Sequence, residues 1–594
     1  MSISAEHTFH IPVLGIGYSI DTPVKVAKYG ISSVLSIGDD DLLEKMRKYY
    51  CEKTNETYIP ITKKEEDSRA RRITAYLNLI QQLVNNQFEA LKDSEFAPGT
   101  EITKYFELLP EYSVLKKKYN QMLSATDDLT RNSIQQWLRD NIVPGSIDVN
   151  IMTKLDKFNY TQDGEQLPVL YNDAHAAIRG FAESKVSGSV ILSAGMNPRL
   201  FSYMESISAF NPDPEGRFNK KIVIKVSDFR SAIIQGKFLA KKGIWVSEYR
   251  IESGLNCGGH AFATDGYLLG PILEEFKTRK SELLDSISLI YAESLAKKNI
   301  IVDPRKLNIK LTVQGGVGLS SEQEFLLRYY NIDSVGWGSP FLLVPEVMNV
   351  DEVTLQKLAD AGEEDIYLSR TSPLGVLFNN LKLSTKEEER LERTAQGKFG
   401  SPCTKNYLKF NTEFTEKPIC TASIEFQKKK IKELDGKQIS GDEYNQALFR
   451  IIEKECLCEG LTSPAMVVNN ISNHKISTAA SVCPGPNLAY FSKIASLREM
   501  VDHIYGRINL ITDESRPNMF VKELGLYIDY FQNLVEESIA PLTEQTEKFL
   551  KTFRENLLNG IDYYKKIIPL IIEETEVVRD RINFDLLELE KKLV

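Results

Sequence analysis

Residues 255–261 read Leu-Asn-Cys-Gly-Gly-His-Ala and follow an apolar run at 244–251. Gly258 and Gly259 carry no Cβ, so backbone there can approach a flat ligand closely. His260 then stands at a strand end, with an imidazole that exchanges protons near neutral pH. The chain has six histidines, and this one is the best lead to function, a core histidine with both nitrogens satisfied being the plainer reading. Two more glycine turns follow the last two strand-like runs. Gln314-Gly315-Gly316-Val317-Gly318 succeeds 309–313, and Gly336-Trp337-Gly338-Ser339 succeeds 334–335. Glycines so placed leave backbone N–H groups free to point at phosphate oxygens. The plainer reading is a pair of tight strand-to-helix turns with no ligand.

A second group of reactive residues lies farther along. Cys403, Cys420, Cys456, Cys458 and Cys483 hold five of the seven cysteines, too close together for an even spread. An iron–sulfur cluster or zinc needs four converging thiolates. Redox-active thiols and buried structural cysteines are the other two readings, and no Cys-x₂-Cys pair favours a metal.

The elements that must position these residues alternate along the chain. Short apolar runs at 11–16, 33–37, 147–152, 189–193, 221–226, 244–251, 309–314 and 334–337 alternate with helical patterns. Eight such units predict a closed (β/α)₈ TIM barrel, with a doubly wound sheet as the alternative. In such barrels a phosphate site forms from the loops after strands seven and eight, where both glycine turns fall. Thr22-Pro23 starts the first helix and Gly30 stops it. Residues 1–38 and 144–385 are expected to form the barrel, and 39–143 a helical insertion, a candidate lid. Residues 386–515 read as a loop-rich, cysteine-containing region, and 516–594 as helical.

Composition narrows the function classes. A formal charge of −9 speaks against a nucleic-acid partner. No apolar run reaches the roughly 18 residues of a membrane helix, the first ten residues are polar, and the cysteine content does not suggest a disulfide scaffold. The chain reads as cytoplasmic, and the C-terminal helices suggest packing on the barrel, a sister subunit or a synthase complex.

The order of the motifs resembles the flavin-dependent barrels of the nitronate monooxygenase and enoyl reductase group. Asn256-Cys257-Gly258-Gly259-His260 looks like that group's Glu-Ala-Gly-Gly-His motif. Asp148-Val149-Asn150-Ile151 looks like its Val-Asn-Leu element, and the two later turns like its Ala-Gly-Gly-Ile and Gly-Thr turns. Within the group, the stretch Leu268-Leu269-Gly270-Pro271 and the segment 365–377 are most similar to the stand-alone enoyl reductase of polyunsaturated fatty acid synthases. The resemblance covers roughly 11–38 and 147–380. It implies FMN across the barrel mouth, bound by Asn150, Lys225, Gly258, Gly259, Gln314, Gly315, Gly316, Gly336, Gly338 and Ser339. It also implies His260 as general acid or base, acting on a small or thioester-linked carbonyl or nitro compound. Asn256 and Cys257 depart from the group's acidic-plus-small pair, and Trp337 is bulky for a phosphate turn. A flavin-free, phosphate-binding barrel enzyme and a non-catalytic scaffold subunit are the competing readings.

Overall fold

The computed structural model describes residues 7–161, 163–193, 195–256, 265–472, 477–511, 513, 515–537 and 543–593. Among them, eight parallel strands close into a barrel. They are β1 Phe9–Ile11, β2 Ser32–Ser36, β3 Ile147–Met152, β4 Gly188–Ser193, β5 Lys220–Val226, β6 Val246–Glu252, β7 Lys310–Gln314 and β8 Ser334–Gly336. Closure is made by β8 on β1, with Phe9 opposite Val335 and His10 opposite Gly336, so the barrel itself has no open strand edge. The (β/α)₈ expectation is the observed fold. β4 is buried at every position, as a parallel strand between lumen and outer helices must be.

At β1 the sequence reading and the structure part. Pairing ends at Ile11, and the rest of the apolar run at 11–16 is mouth loop, with Val13, Leu14 and Ile16 lining a cavity. Apolarity there reports burial against a cavity wall, not a ladder.

Side chains paired in register share a face, and the inward face is layered. Val34, Ile191 and Val223 form a small apolar cluster. Toward the strand starts, Glu248 accepts from Arg250 (2.9 and 2.6 Å) and Thr312 (2.6 Å). Toward the strand ends, register sets Lys225 beside Arg250, and Glu252 beside Gln314, which in turn pairs with Gly336.

The stretch 39–143 is helical as expected, through Asp40–Thr54, Ser68–Asp93, Glu101–Leu108, Val114–Ser124 and Asp128–Asn141. Tyr105 of the third of these donates to Val143 O (3.0 Å), close to the strand starts. The N-terminal end of Ser68–Asp93 is what reaches the mouth, where Arg69 donates to Gly38 O (3.0 Å). The region 386–515 is less loop-rich than its sequence suggests. It holds the helices Thr385–Ala395, Ile424–Asp435, Gly441–Ile452 and Leu497–Ile504, capped by Ser384, Ser423, Ser440 and Ser496. Each serine accepts the N–H three residues on, and three of the four have Glu there, a legible capping signal. Residues 516–594 form the helices Met519–Glu537, Glu544–Ile567 and Glu576–Lys591. Among the described residues no helix is long and apolar enough to cross a membrane.

Three buried histidines tie this fold to pH. His7 bonds Tyr505 Oη (2.9 Å) and Tyr29 O (3.2 Å), and His503 bonds Gly318 O (2.8 Å) and Leu510 N (3.1 Å). Burial lowers the pKa of His7 to about 4, and holds those of His10 and His503 below the usual value. Below pH ~6.5 the unfolded chain therefore binds more protons than the folded one. Stability should be full above that pH and fall as pH drops toward 4, by ~3 kcal/mol from His7 alone. Denaturant midpoints measured from about pH 7 down to pH 5 should fall steadily; a flat profile overturns this prediction.

Candidate functional site at the barrel mouth

Side chains at the ends of β5, β6 and β7 converge at the mouth with Asn256, just beyond β6. Glu252 Oε1 accepts from Lys225 Nζ (2.9 Å), Asn256 Nδ2 (2.5 Å) and Gln314 Nε2 (2.7 Å). Gln314 Nε2 also lies 3.2 Å from Asn256 Oδ1. Lys225, which the resemblance places among the flavin contacts, is ion-paired with Glu252. Sequence reasoning missed Glu252, although Glu248, Arg250 and Glu252 alternate along β6 on the lumen side. Two acceptors in this layer are left over. Among the described residues, Asn150 Oδ1 and Gln314 Oε1 are buried with no hydrogen-bond partner, an arrangement that costs free energy unless a donor arrives.

The two glycine turns meet beside it. Gly315 (φ +106) and Gly316 (φ +87) adopt conformations open to glycine. Together with Gly336, Gly338 and Ser339 they line a small space of about 10 Å³. The N–H of Gly315 continues the β7–β8 ladder toward Gly336 O, whereas among the described residues nothing accepts the backbone N–H of Gly316, Gly338 or Ser339. Clustered unpaired amides of this kind form an anion-binding concavity. The N–H groups farther on, at Gly318 and Leu319, are already taken by Glu322 Oε2 (2.8 and 3.2 Å). A Cβ on Gly315 would lie 2.8 Å from Asn256 N. Gly315→Ala is therefore expected to cost ~1–3 kcal/mol and to weaken anion binding, as read by thermal denaturation with and without phosphate. Unchanged stability would show that the turn tolerates a side chain.

On the other side of the mouth, beyond β1, β2 and β3, lies a cavity of about 160 Å³. Its walls are mostly apolar: Val13, Leu14, Ile37, Ile151, Leu374 and Phe378, with Asn150 among them. The helical insertion contributes Arg69 to this lining, while the remaining cover comes from Tyr407, Leu408, Leu457, Cys458, Leu461 and Cys483. An ionic rim fastens that cover. Tyr407 Oη donates to Asp39 (3.0 Å) and Asp40 (3.1 Å), Lys405 pairs with Asp39 (2.5 Å), and Arg69 pairs with Asp40 (2.7 Å). Backbone ties add to it, such as Gly17 N to Leu461 O (2.7 Å). None of these distant partners has a local sequence signature.

Gly258, Gly259 and His260 lie outside the described residues, as does Cys257. The chain on either side of them is held by one carboxylate, Glu523. It accepts from Ser253 Oγ (3.0 Å), Gly254 N (3.2 Å), Leu269 N (2.8 Å) and Tyr564 Oη (3.3 Å). Burial raises its pKa against those bonds. Glu523→Leu should lower stability by ~1–3 kcal/mol, since it strands buried donors on both stems; urea denaturation measures it, and no change would mean the stems find other partners.

The cysteines divide. Cys458 and Cys483 face the apolar cavity, while Cys403 and Cys420 pair with each other. Among the described residues, no group of three or more His, Cys, Asp or Glu side chains is arranged to hold a metal ion.

Comparison with known proteins gives structural likeness only. No family model matches the chain, and no curated protein does. Among similar solved structures is the enoyl reductase domain of MlnA from the macrolactin biosynthesis cluster of Bacillus amyloliquefaciens. It is 14% identical, with 69% of this chain and 90% of that chain covered and a TM-score of 0.35. A FabK mutant from Thermotoga maritima is 11% identical over 67% of this chain and 82% of that one, with a TM-score of 0.29. A nitroalkane oxidase from Streptomyces ansochromogenes is 10% identical over 85% and 97%, with a TM-score of 0.34.

Proposed function

We propose that the chain is an FMN-dependent oxidoreductase acting on a small or thioester-linked carbonyl or nitro compound. The observation that carries the reading is the set of unpaired groups at the mouth. Among the described residues three amides without an acceptor suit an anion subsite beside β7 and β8, and Asn150 Oδ1, likewise without a partner, lines an apolar cavity beside β3. A cofactor with a phosphate, a flat apolar ring and polar ring edges matches this set in kind and in order around the barrel. The anion subsite has room for about one water. A phosphate there needs Asn487, which lines the space and donates to Val317 O (2.8 Å), to draw back.

When bound, FMN would supply two-electron chemistry at carbon. The chain's own residues do the rest. Gly316, Gly338 and Ser339 would hold the phosphate through backbone N–H groups, with Gly315 giving the turn its close approach. Asn150 would accept a ring N–H, and Gln314 would offer its free oxygen to the same layer. Lys225, kept in place by Glu252, brings a positive charge whose field is largely cancelled by its partner. His260, proposed from sequence, would give or take the proton at the substrate. The apolar cavity under Tyr407 and Leu408 keeps water from the reacting face.

An absorption spectrum of the purified protein tests the reading. Flavin bands that bleach on anaerobic reduction are expected. Colourless protein that also takes up no added FMN overturns it.

A further inference from the structure

Two loops in the 386–515 region run side by side. Ser401 N donates to Ala422 O (2.9 Å) and Ile424 N to Ser401 O (3.0 Å), a bridge that sets Ser401 opposite Ser423. Farther on, Asn411 and Ile419 exchange two backbone bonds (3.1 and 2.8 Å). This zipper brings Cys403 against Cys420, and the Cys420 S–H donates to the Cys403 sulfur. Both thiols are free.

Their surroundings differ in the way that separates an attacking thiol from a resolving one. Cys420 is 4% exposed, and the neighbouring Cys403 sulfur together with burial pushes its thiol far up. Cys403 is partly exposed and sits at φ +57, a left-handed conformation that a β-carbon resists. The Cys420 S–H favours its thiolate most, and Lys409 and the Asn406 N–H add to that, against burial and Glu459; the balance is a pKa of about 7. The chain between the two cysteines carries Lys405, Tyr407 and Leu408, part of the cover over the mouth cavity.

We infer that Cys403 and Cys420 form a redox-active dithiol that reacts with low-molecular-weight disulfides, with Cys403 attacking and Cys420 resolving. In the first step the Cys403 thiolate attacks one sulfur of the small disulfide. A Cys403–small-thiol disulfide forms, and the other half leaves as thiolate. In the second step Cys420 attacks the Cys403 sulfur, the protein disulfide forms, and the second small thiol leaves. The Cys420 proton passes to a departing thiolate, and solvent supplies the other. Two cysteines are oxidised and one small disulfide is reduced to two thiols. The inference does not depend on the flavin reading.

The test uses the full-length protein with oxidised glutathione, followed by alkylation, digestion and mass spectrometry. Wild type should yield a peptide pair joined through Cys403 and Cys420. Cys420→Ser should stop with glutathione on Cys403, and Cys403→Ser should leave Cys420 unmodified. If Cys403→Ser does not fold, native labelling of wild type with iodoacetamide near pH 7 decides instead. Cys403 should react ~tenfold or more faster than buried Cys458, in line with its larger thiolate fraction. Glutathione that stays on wild-type Cys403, no reaction at Cys403, or equal labelling of Cys403 and Cys458 overturns the inference.

Discussion

Replacing His260 by alanine is expected to lower kcat by ~10²–10⁴-fold, the range a positioned general acid or base supplies. The expectation follows from residue type and placement. Imidazole is the side chain whose ordinary pKa lies nearest neutrality, and this one follows a Gly-Gly pair in the sequence after β6. Two of the described histidines are occupied: His7 and His503 each have both ring nitrogens bonded within the fold. Flavin uptake by the variant should stay near wild type, because the phosphate amides are on β7 and β8 turns. Stopped-flow measurement of flavin reduction and reoxidation, with and without substrate, separates loss of proton transfer from loss of binding. A change below about threefold in kcat, with the cofactor still bound, would remove His260 from the chemistry.

The largest effect on stability is expected at Arg516. Its guanidinium and the Glu322 carboxylate form a bidentate pair (both 2.8 Å) with side chains 4% and 2% exposed. Arg516 also donates to Gly316 O (3.0 Å) and Asn487 Oδ1 (2.9 Å). Removing one partner leaves the other charged and buried, so Arg516→Met should cost ~3–5 kcal/mol. Both groups matter to the mouth, since Glu322 takes the N–H groups of Gly318 and Leu319 and Arg516 holds the carbonyl of Gly316. The variant should therefore lose affinity for phosphate-bearing ligands beyond what its lower denaturation midpoint explains. Glu322→Gln paired with Arg516→Met should recover part of the stability, as the unpaired charge is gone. A single variant within about 1 kcal/mol of wild type would contradict the assignment.

The barrel was legible because parallel strands buried on both faces leave apolar runs of fixed length, and the helices between them carry a different period. Its glycine turns were legible because positive φ at Gly315 and Gly316 excludes most other residues. The apolar run at 11–16 misled because burial at a cavity wall and burial in a strand leave the same mark. Glu252 was missed for a related reason: the run that marks β6 ends at Ile251, so the charged strand-end residue looked like loop. The cover over the mouth was not legible at all. Tyr407, Leu461, Asn487 and Arg516 meet residues hundreds of positions away, and nothing in their own neighbourhoods records the partner. The cysteine clustering was visible in the sequence, whereas the pairing of Cys403 with Cys420 depends on a loop zipper that spacing does not reveal.

The distance in sequence between the barrel and its cover has a consequence in time. β8, which completes the barrel, ends at Gly336, whereas Arg516, which secures the β7 turn, follows roughly 180 residues later. At a synthesis rate of ~5–20 residues per second, the barrel would emerge from the ribosome roughly 10–40 s before the residues that close it in. During that interval the mouth is open on a nascent chain, and a large ligand can enter without displacing anything. Once the chain is finished, the same ligand must wait for Tyr407, Leu461 and Asn487 to lift. Loading during synthesis and exchange afterwards are then two different processes, the first fast and the second governed by local opening of the cover.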